Sequence, residues 1–154
     1  AYLTHKILQW EHFVAQDFFM YGEIKPTSLK NLALQVCQKL QAKAVSYIQG
    51  DDIYENTQES SSPDSIKEVY VVCGSGCSLS SRIPQKPHTC LITGDIKHHD
   101  AMIAKSNGLS LIDMGHYESE KYFVEIFQSI LQNAGYNAII ADCKNPFYFC
   151  SITD

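Results

Sequence analysis

The second half of the chain alternates short apolar strands with helices, and this order constrains the fold more than any other feature of the sequence. Strands are predicted at Val69 to Cys73, Thr89 to Thr93 and Ser110 to Asp113, and helices at about His98 to Ser106 and Ser119 to Asn133. Such alternation favours a sheet that is covered by helices, at least in part on both faces. The sequence therefore predicts an α/β layered sandwich with a mixed sheet and helices packed on it.

The remaining segments carry weaker patterns. An amphipathic helix is predicted over residues 27–41, where apolar residues recur at helical spacing: Leu29, Leu32, Val36 and Leu40. The aromatic-rich first 24 residues predict a helix that leads into a turn at Gly22, residues 44–48 a short strand, and the polar residues 50–64 a flexible loop. Ile139 and Ile140 begin a predicted last strand. A chain of 154 residues with 45% hydrophobic content can bury one ordinary core, so we expect a single domain.

Composition excludes several classes of protein. The net charge is −5, and no run of Lys and Arg supplies the positive surface that neutralises phosphates, so nucleic acid is not an expected partner. Apolar stretches such as residues 137–141 are too short to span a bilayer, so no membrane association is expected. The six cysteines fall mostly inside predicted strands and helices, as small buried residues do, and not in the spacing of a disulfide framework. These features predict a cytoplasmic protein.

His116 and Glu120 are the clearest candidates for chemistry. They are four residues apart at the start of a predicted helix, so both side chains lie on one face and can offer a nitrogen and an oxygen to one metal ion. The alternative is an ordinary helix start with a carboxylate in its first turn, where the helix dipole favours negative charge. Two ligands do not complete a metal site, so a metal centre here requires further ligands from elsewhere.

Three motifs in order resemble one known family. The segments are VVCGSG (residues 71–76), TGDIKHHDA (93–101) and DMGHYESE (113–120). Together they resemble the carboxy-terminal signature of the GTP cyclohydrolase 1 type 2 homologue family, also called the interacting-factor-three-like family. The resemblance implies an α/β protein that assembles into a toroidal homohexamer and binds two neighbouring metal ions in a cleft facing the central cavity.

The resemblance also implies a set of metal ligands, of which His116 and Glu120 match two. The family's other ligands, a His-His pair and an Asp, belong to an amino-terminal half whose His-His-Pro motif is absent here. We therefore expect this chain to be the carboxy-terminal part of a larger α/β protein, with the remaining ligands in the missing half. The implied cofactors are two divalent ions, zinc, iron or manganese. The second ring nitrogen of His116 is expected to donate to Asp113 or to a backbone carbonyl.

A second group of candidates, for catalysis, is Asp95, Lys97 and His99, in the segment that the resemblance places along the metal cleft. His99 is a candidate for proton transfer and Lys97 for contact with a triphosphate. The alternative for Asp95 is a helix cap, with Lys97 and His98 in water.

The activity implied by the resemblance is metal-dependent hydrolysis of a nucleotide, in which GTP yields dihydroneopterin triphosphate and formate. Water attacks carbon 8 of the guanine ring in this reaction, and metal ions assist it by stabilising the developing negative charge. A different class of function is a non-catalytic, metal-binding oligomeric protein that acts in interaction or regulation. Hydrolysis of phosphoesters at nucleic-acid ends is a third alternative, which the acidic net charge disfavours.

Overall fold

A six-stranded mixed sheet forms the centre of the fold in this computed structural model, which describes residues 1–52 and 65–150. The strands run in the spatial order β1-β2-β4-β5-β6-β3. Neighbours β4, β5 and β6 are parallel, whereas β1, β2 and β3 each join the sheet antiparallel. The strands are β1 Val14–Gln16, β2 Phe19–Ser28, β3 Ser46–Ile48, β4 Ser65–Val71, β5 Thr89–Thr93 and β6 Ser110–Asp113. The mixed α/β architecture predicted from the sequence is confirmed.

The helices pack on both faces of this sheet. They are α1 Leu29–Leu40, α2 His98–Ser106, α3 His116–Glu120 and α4 Phe123–Asn133, with a π-helical turn at Leu3–Ile7 and a 3₁₀ helix at Cys77–Arg82. Helix α1 begins where the hydroxyl of Ser28 accepts a hydrogen bond from the amide of Asn31, and it ends at Gln41 in the left-handed region. The four apolar residues predicted to form its inner face are all buried.

The core has two parts, one on each face of the sheet. Alternate residues of β5 divide between them because successive strand side chains point to opposite faces. Cys90 and Ile92 pack with α1, while Leu91 packs on the other side with Ala104 of α2. All five residues of β5 are buried, so β5 is the most enclosed of the described strands.

Helix α4 differs from the others because it contributes no buried residue. Four of its apolar side chains are exposed instead: Phe123, Val124, Phe127 and Ile130. The segment that follows it, residues 134–150, contains no buried residue either. None of the described helices is both long enough and apolar enough to cross a membrane.

Three parts of the sequence-based prediction were wrong or need adjustment. The first 24 residues are helical only at Leu3–Ile7, and β1 and most of β2 follow, because their aromatic side chains pack on a sheet that β4 completes from a distant part of the chain. Ile139 and Ile140 form no strand, and in the described part of the chain neither edge of the sheet pairs with them. The predicted helix 119–133 is two helices, α3 and α4. Most of the predicted loop 50–64 lies outside the described residues.

Candidate functional site

The carboxyl ends of β4, β5 and β6 lie side by side at one edge of the sheet, where ligands of open parallel sheets commonly bind. Backbone hydrogen bonds join the segments that follow these three strands. The amide of Gly94 donates to the carbonyl of Gly74 at 2.8 Å, and the amide of Met114 donates to the carbonyl of Thr93 at 2.8 Å. Gly94 approaches the Gly115 backbone so closely that an added Cβ would lie 2.9 Å from it. The turn at Gly74, the segment after β5 and helix α3 therefore form one compact unit.

His116 and Glu120 face each other on α3. The Nε2 atom of His116 lies 3.1 Å from Oε2 of Glu120, and each side chain is about half exposed, at 49% and 50%. The four-residue spacing therefore places both side chains on one helical face, as the sequence predicted.

Asp95 holds the other ring nitrogen of His116. Its Oδ2 lies 2.6 Å from Nδ1 of His116, and its backbone is left-handed, with φ of 53°. The expectation that Asp113 or a backbone carbonyl fills this role was wrong, because the Asp113 carboxylate accepts the backbone amides of Ile96 and Gly115, each at 2.9 Å. The alternative role of Asp95 as a helix cap was also wrong, since its carboxylate contacts the imidazole.

The two carboxylates raise the pKa of His116 above its ordinary value. The hydrogen bond to Asp95 is the largest cause and the negative charge of Glu120 is the next, while partial desolvation acts in the opposite direction. A protonated imidazole donates to both carboxylates at once. A cation bound at Nε2 would take the place of the proton on that nitrogen.

The donor set suits part of a metal centre. An imidazole nitrogen and a carboxylate oxygen are ligands that zinc, iron and manganese all accept. A carboxylate on the far nitrogen of a ligating histidine is the common way in which proteins orient such a ring. Within residues 1–52 and 65–150, however, no three His, Cys, Asp or Glu side chains converge on one point. Asp95 does not supply the third ligand because it lies on the Nδ1 side of the ring.

A cleft of about 750 Å³ opens beside this pair. Asp95, His116 and Glu120 form its polar end, while the rest of its wall comes from α3, α4 and the segment after α4. The apolar part of the wall is made by Phe123, Val124, Ile140, Ala141, Pro146 and Phe147. The cleft therefore combines the ionic group at His116 with a mostly apolar wall, which also carries Lys121 and Asp142.

Lys97 and His99 are exposed residues at the start of α2, and neither is among the residues that line this cleft. The structure thus places Asp95 beside His116 and Glu120. Lys97 and His99 do not line the cleft. Sequence reasoning missed Ser119, a buried polar residue of α3 that lies between His116 and Glu120 in sequence. Its position three residues after His116, on a helix that docks against a glycine turn, was the available signal.

This combination of features defines a class: a mixed α/β protein with a histidine–carboxylate pair at the carboxyl ends of its parallel strands. Residues 3–146 match the family model of Duf34/NIF3 (NGG1p interacting factor 3). The chain belongs to this family, which confirms the resemblance carried by the three sequence motifs.

Curated relatives agree with this assignment. Over 85 residues the chain is 51% identical to "GTP cyclohydrolase 1 type 2" of Helicobacter pylori (strain ATCC 700392 / 26695), an alignment that covers 55% of this chain and 34% of the relative. It is 32% identical over 145 residues to a "GTP cyclohydrolase 1 type 2 homolog" of Staphylococcus aureus (strain N315), which covers 84% of this chain and 36% of the relative. The chain spans about a third of the length of these relatives.

Solved structures share the fold. The protein TTHA1606 from Thermus thermophilus superposes with a TM-score of 0.68 at 19% identity, covering 95% of this chain and 55% of that one. Staphylococcus aureus protein SA1388 superposes with a TM-score of 0.61 at 24% identity, covering 86% of this chain and 42% of that one.

Proposed function

We propose that this chain carries one part of a two-metal centre and that the complete site hydrolyses a nucleotide, with GTP as the substrate and dihydroneopterin triphosphate and formate as products. The observation that carries the proposal is the pair formed by His116 Nε2 and Glu120 Oε2, 3.1 Å apart at the polar end of the cleft. The name of the Helicobacter pylori relative, GTP cyclohydrolase 1 type 2, supports the choice of reaction.

His116 and Glu120 would be the ligands that this chain supplies. A divalent ion, zinc, iron or manganese, contributes Lewis-acid chemistry that acidifies water and stabilises negative charge. The role of Asp95 in this proposal is to keep the proton of His116 on Nδ1, so that Nε2 presents its lone pair to the cleft. The remaining ligands come from residues that the described part of this chain does not provide.

The shape of the cleft supports a nucleotide as ligand. A nucleobase has a flat apolar face and a polar edge, and the cleft combines an apolar wall that includes Phe123 and Phe147 with a polar end at His116. Lys97 and His99 keep their proposed roles in triphosphate binding and proton transfer. Both side chains are exposed and have no partner among the described residues, so they are free to turn towards a ligand.

An assay for formate tests the proposal. The protein at its full natural length is loaded separately with zinc, manganese or iron(II) and incubated with GTP, and we expect formate and a pterin product. Glu120→Gln should abolish turnover and deplete one metal ion. Glu125→Gln is the matched control, because Glu125 is an exposed carboxylate on α4 that accepts a hydrogen bond from the Tyr2 hydroxyl. Unchanged metal content and turnover in Glu120→Gln would remove the pair from the mechanism.

A second candidate function is a non-catalytic, metal-binding oligomeric protein that acts in interaction or regulation. The exposed apolar side chains of α4, such as Phe123, Phe127 and Ile130, favour this alternative, since exposed apolar patches mark protein contacts. In either case we propose a homo-oligomer, with a hexamer as the expected form. Native mass spectrometry measures subunit number and bound metal together, and metal-loaded oligomer without formate release would favour the non-catalytic function.

A further inference from the structure

Ser119 is a buried polar residue, 3% exposed, that lies between His116 and Glu120 in sequence. Its hydroxyl accepts a hydrogen bond from the backbone amide of Gly74 at 2.9 Å and donates one to the carbonyl of His116 at 2.7 Å. A hydroxyl offers one donor and two acceptor positions, so both contacts are satisfied together.

Gly74 is itself fixed to the ends of the central strands. Its carbonyl accepts hydrogen bonds from the amide of Gly94 at 2.8 Å and from the hydroxyl of Thr93 at 2.9 Å. The same Thr93 hydroxyl accepts the amide of Gly76 at 2.9 Å. Ser119 therefore connects α3 to a turn that is held by the ends of β4 and β5.

Helix α3 depends on such a connection because it has little stability of its own. It contains five residues, and the residue before it, Gly115, provides no side-chain cap. Isolated helices of this length do not form in water, so tertiary contacts determine where the helix points. Within the residues that the structure describes, the hydroxyl of Ser119 is the side-chain group that bonds α3 to the Gly74 turn.

We propose that Ser119 is a positioning residue for the metal-ligating pair. Its hydroxyl fixes the rotation of α3 against the Gly74 turn, and this rotation holds the Glu120 carboxylate against Gly74 and beside Nε2 of His116. An added Cβ on Gly74 would lie only 2.5 Å from Oε1 of Glu120, which shows how closely the carboxylate approaches the turn. The inference rests on the proposed function for the metal-ligating role of the pair. The position of Glu120 against the Gly74 turn can be tested without metal.

The test compares two serine variants. Ser119→Ala removes the acceptor of the Gly74 amide, and Ser110→Ala removes an equivalent bond, because the buried Ser110 hydroxyl accepts the amide of Gly50 at 3.1 Å. Both variants leave a glycine amide without its acceptor, so both should lower the melting temperature by similar amounts. A purely structural role for Ser119 predicts no further difference between them.

Two readouts separate the variants. In the metal-free protein, nuclear Overhauser contacts between the Gly74 α-protons and the Glu120 side chain should be lost in Ser119→Ala and kept in Ser110→Ala. Zn²⁺ affinity of the protein at its full natural length, measured by calorimetry, should fall about 10- to 100-fold in Ser119→Ala, as for other groups that orient metal ligands. In Ser110→Ala it should change by less than about twofold, because Ser110 begins β6 and the site lies beyond the other end of that strand. Ser119→Thr keeps the hydroxyl and should restore the Gly74 to Glu120 contacts.

The outcomes distinguish the inference from the function on which it rests. Retained Gly74 to Glu120 contacts in Ser119→Ala would overturn the inference, as would equal losses of Zn²⁺ affinity in both alanine variants. If the contacts are lost in Ser119→Ala while the unsubstituted protein takes up no Zn²⁺, the positioning role stands and the proposed metal function fails.

Discussion

Substitution of Gly74 by alanine tests how closely the Glu120 carboxylate approaches the turn after β4. Gly74 has φ of +67°, a left-handed conformation that costs an L-residue about 1–2 kcal/mol. For a chain of this size each kcal/mol lowers the melting temperature by about 2–4 °C, so backbone strain alone predicts a decrease of about 2–8 °C.

The new methyl group has a second effect, on Glu120. It would lie 2.5 Å from Oε1 of Glu120, and an ordinary contact requires the carboxylate to retreat by roughly 1 Å. Because the carboxylate is the end of a flexible side chain, this retreat adds little to the loss of stability. Metal–ligand distances tolerate only about 0.2 Å, however, so the same movement should lower Zn²⁺ affinity at least tenfold.

Gly135→Ala is the matched control. Gly135 has φ of +83° and nothing within 4 Å of an added Cβ, so it carries the backbone strain without the steric contact. Calorimetric melting of the two variants should give similar losses of stability, whereas Zn²⁺ titration of the protein at its full natural length should distinguish them. Equal Zn²⁺ affinity in Gly74→Ala and Gly135→Ala would refute the placement of Glu120 against the turn.

Three further predictions follow from the hydrogen bonds and packing of the chain. The pKa of His116, raised chiefly by its hydrogen bond to Asp95, should fall in Asp95→Asn when followed by NMR titration. Because the folded-state pKa is raised, the stability from this contact is fully present below the unfolded-state pKa and is lost as pH rises through the folded-state value. Leu32→Ala should cost about 2–5 kcal/mol in urea unfolding, whereas Leu34→Ala, at a position that is 51% exposed, should cost less than about 0.5 kcal/mol. Ser28→Ala should cost about 1 kcal/mol in the same assay, through loss of the α1 cap.

Local sequence patterns were enough to predict the bounds of several strands and helices. Strands β5 and β6 and helix α2 have the predicted bounds, because each is a short apolar or amphipathic run between clear breakers such as Gly94 and Gly108. The amino-terminal strands could not be found this way. Residues of β2 pair with β4, as Tyr21 does with Tyr70, and no local window contains both members of such a pair.

The candidate site was predictable only in part for a related reason. Four-residue spacing on a helix fixes the relation of His116 to Glu120, so sequence alone was enough for that contact. The choice of Asp95 over Asp113 as the partner of His116 depends on a left-handed backbone at Asp95 and on the backbone amides that the Asp113 carboxylate accepts. Neither is visible in residue types or spacing.

Because Cys90 is enclosed in β5, the reactivity of its thiol reports global opening of the fold. Burial raises the pKa of this thiol, and burial also raises the pKa of Cys77 to about 11, so neither is a ready nucleophile in the closed state. Cys143 and Cys150 are exposed and should react with an alkylating reagent at once. Cys90 reacts only when the sheet separates, so its labelling should be slow. The rate of this labelling, measured by mass spectrometry, therefore reports the cooperative opening of the native protein without denaturant.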